Sequence, residues 1–409
     1  MTIPWPTPAA RRLLADLIAG IDALRPDASE LRRELHANPR VSGDEADTAA
    51  RMRRWLGDEA LTAPAVAQHG FLHRVGPAGP AVGVRAELDA LPILEETGVP
   101  WASVNGAMHA CGHDVHMAAT WALLRAASRV NLPAGLVGVF QPREEAQPCG
   151  ARDVVRSSVL QDEGVVAMIG AHVQPRLVNG LVSTGVGGVN ASADEFEVTI
   201  HGSGGHGAYP HVTVDPIAIL GSVLSGLNQL TSRVIDPTHA TVVTVGHVWA
   251  GSAANVIPTT AHLRGIVRAT TQDDRERLHA DIRRLVQHTA SARGGDADVH
   301  ITIGDPVLDN DRDLVRATDP MVDVSGMRLA LEPFRSCGAD DFSHYGDILP
   351  ILMMFVGTGN PTSDDRVDIG LHHSRFLPDE QTIRDVAVAL AAAYVGSLRA
   401  SGLASPILD

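Results

Sequence analysis

Lysine is absent from this sequence of 409 residues, so all 33 of its basic side chains are arginines. The absence excludes catalysis through a lysine Schiff base and the attachment of a pyridoxal cofactor, because both need a lysine amine. It also excludes a phosphate-binding P-loop, whose lysine reaches the nucleotide phosphates. The chemistry of the chain must therefore depend on other functional groups.

Cysteine is scarce as well, with only Cys111, Cys149 and Cys337. Three thiols form no disulfide framework, and this usage is typical of a reducing compartment. No apolar run reaches membrane-spanning length, and the first residues lack the basic-then-apolar order of a signal peptide. The net charge of -15 disfavours nucleic acid and anionic membranes as partners. Together these features predict a cytoplasmic protein that binds neither.

Length and composition predict two globular domains. A chain of 409 residues is too long for one ordinary hydrophobic core, and 44% hydrophobic with 20% charged side chains is typical of a globular protein. In the first third, helical segments alternate with the apolar strands AVGVRAE, GLVGVFQ and VVAMIGAHV. This alternation is typical of a mostly parallel sheet between helices. Sheet-type signals return with PILMMFVGTG, and a last helix is expected near 382–401.

Between about residues 192 and 304 the predicted order changes to β-α-β-β-α-β, which indicates a split βαβ, ferredoxin-like α+β module. Its first helix is expected to follow Asp215 as N-cap, with Pro216 in the first turn. We therefore predict an α/β catalytic domain, residues 1–190 and 305–409. An inserted lid and dimerisation domain, residues 191–304, interrupts it.

Acidic and imidazole side chains follow the buried strands of the first domain. Glu87 ends the first of these strands and Asp89 follows it, Glu144 and Glu145 come after the second, and His172 ends the third. In parallel α/β sheets, ligands bind beyond the carboxyl ends of the strands. The sequence therefore predicts a functional site at this edge.

The segment MHACGHDVH places His109, Cys111, His113, Asp114 and His116 within nine residues. A helix start would explain only one of them, because Asp114 is a good N-cap for the amphipathic helix that follows. The nitrogen and sulfur donors then remain without a role. A metal site with Cys111 and His113 as ligands would use them.

Five side chains that can bind metal are expected near the ends of the strands: Cys111, His113, Glu145, His172 and His372. A single histidine after a strand is more often an ordinary polar residue, and paired glutamates often lie in a solvated loop. Taken together, the mixed donors suit zinc, with manganese, cobalt or nickel as alternatives. Five donors exceed the need of one tetrahedral ion, so a shared donor would let them hold two divalent ions. One of the adjacent glutamates could bind metal while the other moves a proton.

Nearly the whole chain resembles the metallo-amidohydrolases that include aminoacylases, hippurate hydrolases and indole-acetyl-amino-acid hydrolases, of the di-metal exopeptidase superfamily. The motifs that carry the resemblance occur in the family's order: ELHANP, RAELDALPI, MHACGHDVH, QPREE, GAHVQP, GGHGAYPH, DPI, ANVIP, GADDFS and LHHSRF. The resemblance implies a hydrolase that cleaves the amide bond of N-acyl amino acids to a carboxylic acid and an amino acid. A dipeptidase, carboxypeptidase or N-deacetylase with the same di-metal mechanism is the alternative.

The resemblance also implies roles in the catalytic domain. It makes the five donors named above the ligands of two divalent ions, with His372 preferred over His373. Glu144 would be the general base and acid, and Asp89 would orient a ligand from behind the metals.

In the lid, the resemblance implies that His206 contacts the scissile carbonyl oxygen and that Asn255 and Arg268 bind the substrate carboxylate. Physically, His206 could stabilise an oxyanion and Arg268 could form a bidentate clamp. The alternatives are a structural role for His206 in its glycine-rich turn and a surface role for Arg268 on a strand. Relatives often pair through this module, so we expect a homodimer.

Two departures from the family pattern bear on the substrate. Glu87 stands where the family commonly has aspartate, and AQPCGARD replaces a glycine-rich stretch after the glutamates. The extra methylene of Glu87 could shift a contact behind the ligands. Pro148 and Cys149 would reshape the loop beside the site.

Two other classes of protein compete with this interpretation. A cysteine hydrolase would use Cys111 and His113, but it leaves Glu145, His172 and His372 without a role. A binding protein without activity is disfavoured because Glu144, the residue that a decayed enzyme could lose, is present.

Overall fold

The computed structural model describes residues 5–359 and 369–403, which form two compact units. Unit 1 comprises Met1–Gly187, Asp309–Phe334 and Asp341–Asp409, and unit 2 comprises Gly188–Leu308 and Arg335–Asp340. The second unit is thus inserted into the chain of the first.

The helices, in chain order, are α1 Pro8–Ala23, α2 Arg25–Ala37, α3 Ala46–Leu56, α4 Asp58–Leu61, α5 His113–Ala127, α6 Gly150–Arg156, α7 Val159–Asp162, α8 Pro216–Arg233, α9 Gln272–Ser291, α10 Arg312–Val324 and α11 Gln381–Ala400. The strands are β1 Phe71–Val75, β2 Ala81–Glu87, β3 Gly135–Gln141, β4 Val165–Val178, β5 Leu181–Ser183, β6 Gly187–Asn190, β7 Asp194–His201, β8 Gly205–His206, β9 Thr241–Ala250, β10 Val256–Ile257, β11 Thr260–Ala269, β12 Asp296–Thr302, β13 Leu308–Asn310, β14 Arg328–Leu329 and β15 Ile351–Gly359. Short 3-10 segments cover Pro210–Val212 and Asp341–Asp347.

Unit 1 is built on a seven-stranded sheet in the order β1-β3-β2-β4-β15-β5-β14. Its central strands β3, β2, β4 and β15 are parallel, whereas β1 pairs antiparallel with β3 and β5 pairs antiparallel with β15. The edge strand β14 is parallel to β5. Strands β2 and β3 are buried along their whole length, as expected for a sheet covered on both faces. The predicted α/β fold with a mostly parallel sheet is confirmed.

Side chains that alternate along β4 show the two covered faces. Ile169, Ala171 and Val173 belong to the main core, which contains the apolar sides of α5 and α11. Gly170 instead faces the Phe342 ring of the 3-10 segment, where a Cβ atom would lie 3.2 Å from that ring. Helix α11 matches the last helix expected near residues 382–401, and it is buried along most of its length. Within the described part of the chain, no helix is long and apolar enough to cross a membrane.

Unit 2 carries a four-stranded antiparallel sheet in the order β12-β7-β11-β9, against which α8 and α9 pack. This order is that of the predicted split βαβ module. Asp215 caps α8 as predicted, because its Oδ1 atom accepts hydrogen bonds from the backbone of Ile217 at 2.8 Å and Ala218 at 3.4 Å. A small ribbon of β8 and β10 extends the module beyond one end of its sheet.

Two local predictions are wrong. The N-cap of α5 is Gly112 and not Asp114, because the Asp114 side chain is buried in a salt bridge with Arg32 and a hydrogen bond with His36. Strand β4 does not end at His172 but continues to Val178, because β15 pairs with it beyond that residue.

Candidate active site

The candidate site of unit 1 begins at the turn that leads into α5. Gly112 has φ +89°, and a Cβ atom there would lie 2.4 Å from the Val173 side chain. Only glycine fits this close approach to β4 without strain. The turn places Cys111 and His113 on either side of Gly112, and both side chains are buried.

His113 is held by the segment that follows β2. Its Nδ1 atom lies 2.9 Å from the carbonyl oxygen of Asp89 and donates to it, which leaves a lone pair on Nε2. That Nε2 atom is buried and has no hydrogen-bond partner among the described residues. Burial of an unpaired polar atom is costly, so His113 fits a metal ligand whose ring is oriented by its other nitrogen.

Asp89 also holds the glutamate pair. Its Oδ2 atom accepts a hydrogen bond from the backbone of Glu145 at 2.9 Å and one from the Ser42 hydroxyl at 2.7 Å. Asp89 thus fixes the backbone of Glu145 and, through its carbonyl, the ring of His113. The structure brings the predicted orienting residue into contact with two of the candidate ligands.

Cys111 and His172 meet from two different elements. The Cys111 Sγ atom lies 3.4 Å from His172 Nε2. The His172 Nδ1 atom donates to the carbonyl of Val173 at 2.7 Å, so Nε2 again carries the lone pair. In both His113 and His172, Nδ1 donates to a backbone carbonyl and Nε2 is the nitrogen that can bind a metal. This is the usual arrangement of metal-binding imidazoles.

His372 closes the set from the other end of the chain. Its backbone has φ 65°, and its amide donates to the carbonyl of Ala110 at 2.8 Å. Its Nε2 atom lies 3.1 Å from Glu145 Oε1. The donor atoms of Cys111, Glu145 and His372 lie within 4.8 Å of one another, and so do those of His113, Glu144 and Glu145. Glu145 belongs to both groups.

The site has a strongly negative potential. Burial raises the pKa of the Cys111 thiol well above its usual value, and the charges of Glu145 and Glu144 add to this effect. Burial alone would lower the pKa of His113, but the charges of Glu87, Asp89 and Glu145 raise it to about 10. A divalent cation would neutralise this field and would deprotonate a coordinating thiol. A thiol with a raised pKa is a poor nucleophile, which disfavours the cysteine-hydrolase alternative.

His116 lies near these donors but is engaged elsewhere. The backbone amide of Val173 donates to its Nε2 atom at 3.0 Å, and its Nδ1 atom donates to Glu87 Oε2 at 3.0 Å. Arg85 lies 2.8 Å from the other oxygen of Glu87. Burial works to raise the pKa of Glu87, yet Arg85 and His116 hold it well below its usual range. The departure to glutamate at this position therefore supplies a side chain long enough to bind both partners.

The contact between His116 and Glu87 was not predicted from the sequence, although the spacing of two histidines gave a hint of a role for His116. His116 follows His113 by three residues, a spacing that puts both on one side of a helix. Nothing local, however, shows that Glu87 would pair with it.

The candidate lid residues belong to unit 2. His206 is exposed on β8 opposite Val256, and its Nδ1 atom accepts a hydrogen bond from the backbone of Ala208 at 3.0 Å. The proton is therefore on Nε2, which can donate to an oxygen atom. Asn255 is adjacent, because its carbonyl accepts from the backbone of Gly207 at 2.8 Å.

Arg268 lies at the other end of the same sheet. It pairs with Val242 near the end of β11, whereas the ribbon with His206 adjoins the start of that strand at Thr260. Eight residues of strand span about 26 Å. Within one chain, the structure brings His206 and Asn255 together but not Arg268.

Comparison with known proteins identifies the family. The model of peptidase family M20/M25/M40 matches residues 83–394. The chain belongs to this family. It is 35% identical over 375 residues to an N-acetylcysteine deacetylase of Bacillus subtilis (strain 168), covering 90% of this chain and 94% of the relative. It is 32% identical over 361 residues to an N-acetyldiaminopimelate deacetylase of Exiguobacterium sibiricum, covering 87% and 95%.

A solved member of the M20 family has the same fold. The YXEP protein of Bacillus subtilis, described as a dinuclear metal binding peptidase, is 31% identical, with a TM-score of 0.79 over 92% of this chain and 99% of that one. The M20 protein described here is thus a metal-dependent hydrolase that acts on amide bonds, and the predicted enzyme class is confirmed.

Metal binding by this M20 member should depend on its thiol. We expect Cys111→Ser to lower the affinity for zinc much more than that for manganese, because thiolate is a soft ligand that manganese does not favour. Competition with a chelator measures both affinities. Cys337→Ser, which removes an exposed thiol, is the control. Equal losses for the two metals in Cys111→Ser would show that the sulfur is not a ligand.

Proposed function

We propose that this M20 hydrolase holds two divalent ions through Cys111, His113, Glu145, His172 and His372. The buried Nε2 atom of His113, which has no hydrogen-bond partner among the described residues, and the mixed sulfur, nitrogen and oxygen donors support the proposal. Zinc or manganese suits these donors best, with cobalt or nickel as further possibilities. When bound, two such ions would polarise the scissile carbonyl and lower the pKa of a water molecule.

Glu144 is the proposed general base and acid. Its Oε2 atom lies 3.7 Å from His113 Nε2, so it faces the candidate metal donors, and the side chain is nearly buried. At this position the carboxylate takes the proton of the attacking water. It then returns that proton to the nitrogen of the leaving amine. Glu145 supplies a ligand atom instead, so the two adjacent glutamates have different roles.

The proposed substrate is an N-acyl amino acid, with an N-acetyl amino acid as the first member to test. The observation that carries the proposal is the convergence of five metal donors and a further carboxylate in a member of an amide-hydrolysing family. The names of the two deacetylases support the acetyl group. His206 would donate from Nε2 to the carbonyl oxygen that gains charge, and Asn255 and Arg268 would bind the carboxylate.

Loss of the Glu144 proton carrier should abolish turnover. We expect Glu144→Gln to keep its metal content but to reduce kcat by about 100-fold or more, because the amide is nearly isosteric and cannot move a proton. Metal analysis and assays with N-acetyl, N-benzoyl and indole-acetyl amino acids measure both properties. Glu163→Gln, a partly exposed carboxylate beside Arg74, is the control. A kcat close to that of the wild type with full metal content would remove Glu144 from this role.

Recognition of the substrate carboxylate should depend on Arg268. We expect Arg268→Ala to raise KM for N-acyl amino acids by about 10- to 150-fold, since a charge-assisted contact contributes about 1.5–3 kcal/mol. The matching amino-acid amides lack the carboxylate and should be affected little. The measurement compares both enzymes with both substrates. An equal loss of kcat/KM for acid and amide would show that Arg268 is not the clamp.

We also propose a homodimer through unit 2. One amino-acid-sized substrate cannot contact both ends of a strand that spans about 26 Å, so a second copy is proposed to supply either His206 or Arg268. Strand β9 also forms one edge of the unit 2 sheet and is ten residues long. Such an edge can pair with another strand. Sedimentation velocity should show twice the mass of 43.1 kDa. A monomer at full activity would contradict this part of the proposal.

A further inference from the structure

The residue before the two glutamates has an unusual backbone. Arg143 has φ 54°, in the left-handed region that side chains other than glycine seldom adopt. Such conformations persist only where surrounding contacts hold them, and they are common at active sites. The contacts of Arg143 therefore show what holds the start of the glutamate segment.

Two hydrogen bonds fix the backbone of Arg143. Its amide donates to Glu45 Oε1 at 2.9 Å, and its carbonyl accepts from the amide of Gly150 at 2.9 Å. Glu45 is fully buried and also accepts from the amide of Gly43 at 2.8 Å. A Cβ atom at Gly150 would lie 1.7 Å from the carbonyl oxygen of Pro142, so only glycine allows the chain to return so closely.

The Arg143 guanidinium joins three further segments. Nη1 donates to the carbonyl of Pro148 at 3.1 Å, and Nη2 donates to the carbonyl of Ala67 at 3.3 Å. Nη2 also lies 2.5 Å from Asp153 Oδ2 on α6. The side chain is 9% exposed. One buried arginine thus connects residues 146–150, which follow the glutamates, to α6 and to the segment before β1.

Adjacent side chains on an extended strand point to opposite sides of it. Glu144 and Glu145 are adjacent, yet their carboxylates and His113 Nε2 lie within 4.8 Å of one another. The chain has therefore left the extended conformation at the two glutamates, and the left-handed backbone of Arg143 lies directly before them.

We propose that Arg143 is a positioning residue for the reaction. Its left-handed backbone, held by Glu45 and Gly150, sets the direction in which the chain enters the glutamate pair, and its guanidinium holds the segment after the pair through the carbonyl of Pro148. This inference rests on the proposed roles of Glu144 and Glu145. It also assigns a function to the segment AQPCGARD, whose Pro148 carbonyl and Asp153 carboxylate bind the arginine in place of a glycine-rich loop.

A second arginine of unit 1 provides a matched control. Arg74 on β1 donates to the carbonyls of Pro77 at 2.6 Å, Gly79 at 2.7 Å and Glu163 at 2.6 Å. It therefore holds loops in the same way as Arg143 does. These loops precede β2 and β4, whereas the candidate site lies at the carboxyl ends of the strands. Loss of Arg74 should lower stability without changing the site.

The experiment compares Arg143→Gly, Arg143→Ala, Arg143→Lys and Arg74→Ala in the full chain. Arg143→Gly tolerates the positive φ but loses the guanidinium, whereas Arg143→Ala loses the side chain and keeps the strained backbone. We expect both to reduce kcat or zinc affinity by about 10- to 100-fold, as is typical for residues that orient ligands. KM should change by no more than about twofold, since Arg143 does not contact substrate, and Arg143→Lys should recover part of the loss.

The control separates positioning from stability. Arg74→Ala should lower the thermal midpoint as the Arg143 variants do, but leave kcat and zinc affinity within about twofold of the wild type. If Arg143→Gly also keeps both values within this range, Arg143 only stabilises the loop and the proposal is overturned. If the Arg143 variants do not fold, Asp153→Asn replaces them, since it removes one partner of the guanidinium and should change the same two quantities less.

Failure of the proposed function gives a different result. A wild-type enzyme that hydrolyses none of the N-acyl amino acids would contradict the substrate proposal. Zinc affinity, measured by chelator competition, would still decide the role of Arg143. An unchanged affinity in Arg143→Gly would then overturn it, and a reduced affinity beside a normal Arg74→Ala would support it.

Discussion

Three parallel strands, β2, β3 and β4, place charged or ionisable side chains at one buried edge of the sheet. The rest of the site depends on which of these side chains form ion pairs or hydrogen bonds with each other. Glu87 ends β2 and Asp89 follows it, Glu144 and Glu145 follow β3, and His172 lies within β4. Burial of an unpaired charge is costly, so each needs a partner or a cation. Glu87 has Arg85 and His116, and the Asp89 carboxylate has the Ser42 hydroxyl, the backbone amide of Glu145 and, at 3.5 Å, the Nδ1 atom of His113. The remaining carboxylates face histidine and cysteine donors, where a cation would complete the pairing.

The contacts within this set separate the supporting residues from the candidate ligands. The network of Arg85, Glu87 and His116 holds the backbone of β4 through Val173, and Val173 in turn binds the His172 ring. Asp89 similarly orients His113 and the backbone of Glu145. His113, Glu145 and His172 are thus fixed by buried contacts at or near the ends of β2, β3 and β4, which gives a metal site its geometry before any ion binds.

Periodicity and family motifs predicted much of this organisation. The parallel sheet, the split βαβ module and the Asp215 cap all follow from patterns that are local in sequence. The errors have a common cause, because each involves a partner far along the chain. Asp114 is not an N-cap since Arg32, 82 residues away, binds it. Strand β4 extends past His172 since β15 pairs with it. The conformation of Arg143 depends on Glu45, 98 residues away, and no pattern near QPREE indicates it.

We propose above that five donors from four parts of the chain hold two ions beside Glu144. Anomalous diffraction from crystals of the zinc-loaded protein, recorded on both sides of the zinc absorption edge, tests it most directly. Two bound ions should give two peaks about 3.5–4 Å apart, contacted by Cys111, His113, Glu145, His172 and His372. A single peak, or a peak bound by Glu87 and His116 instead, would contradict it.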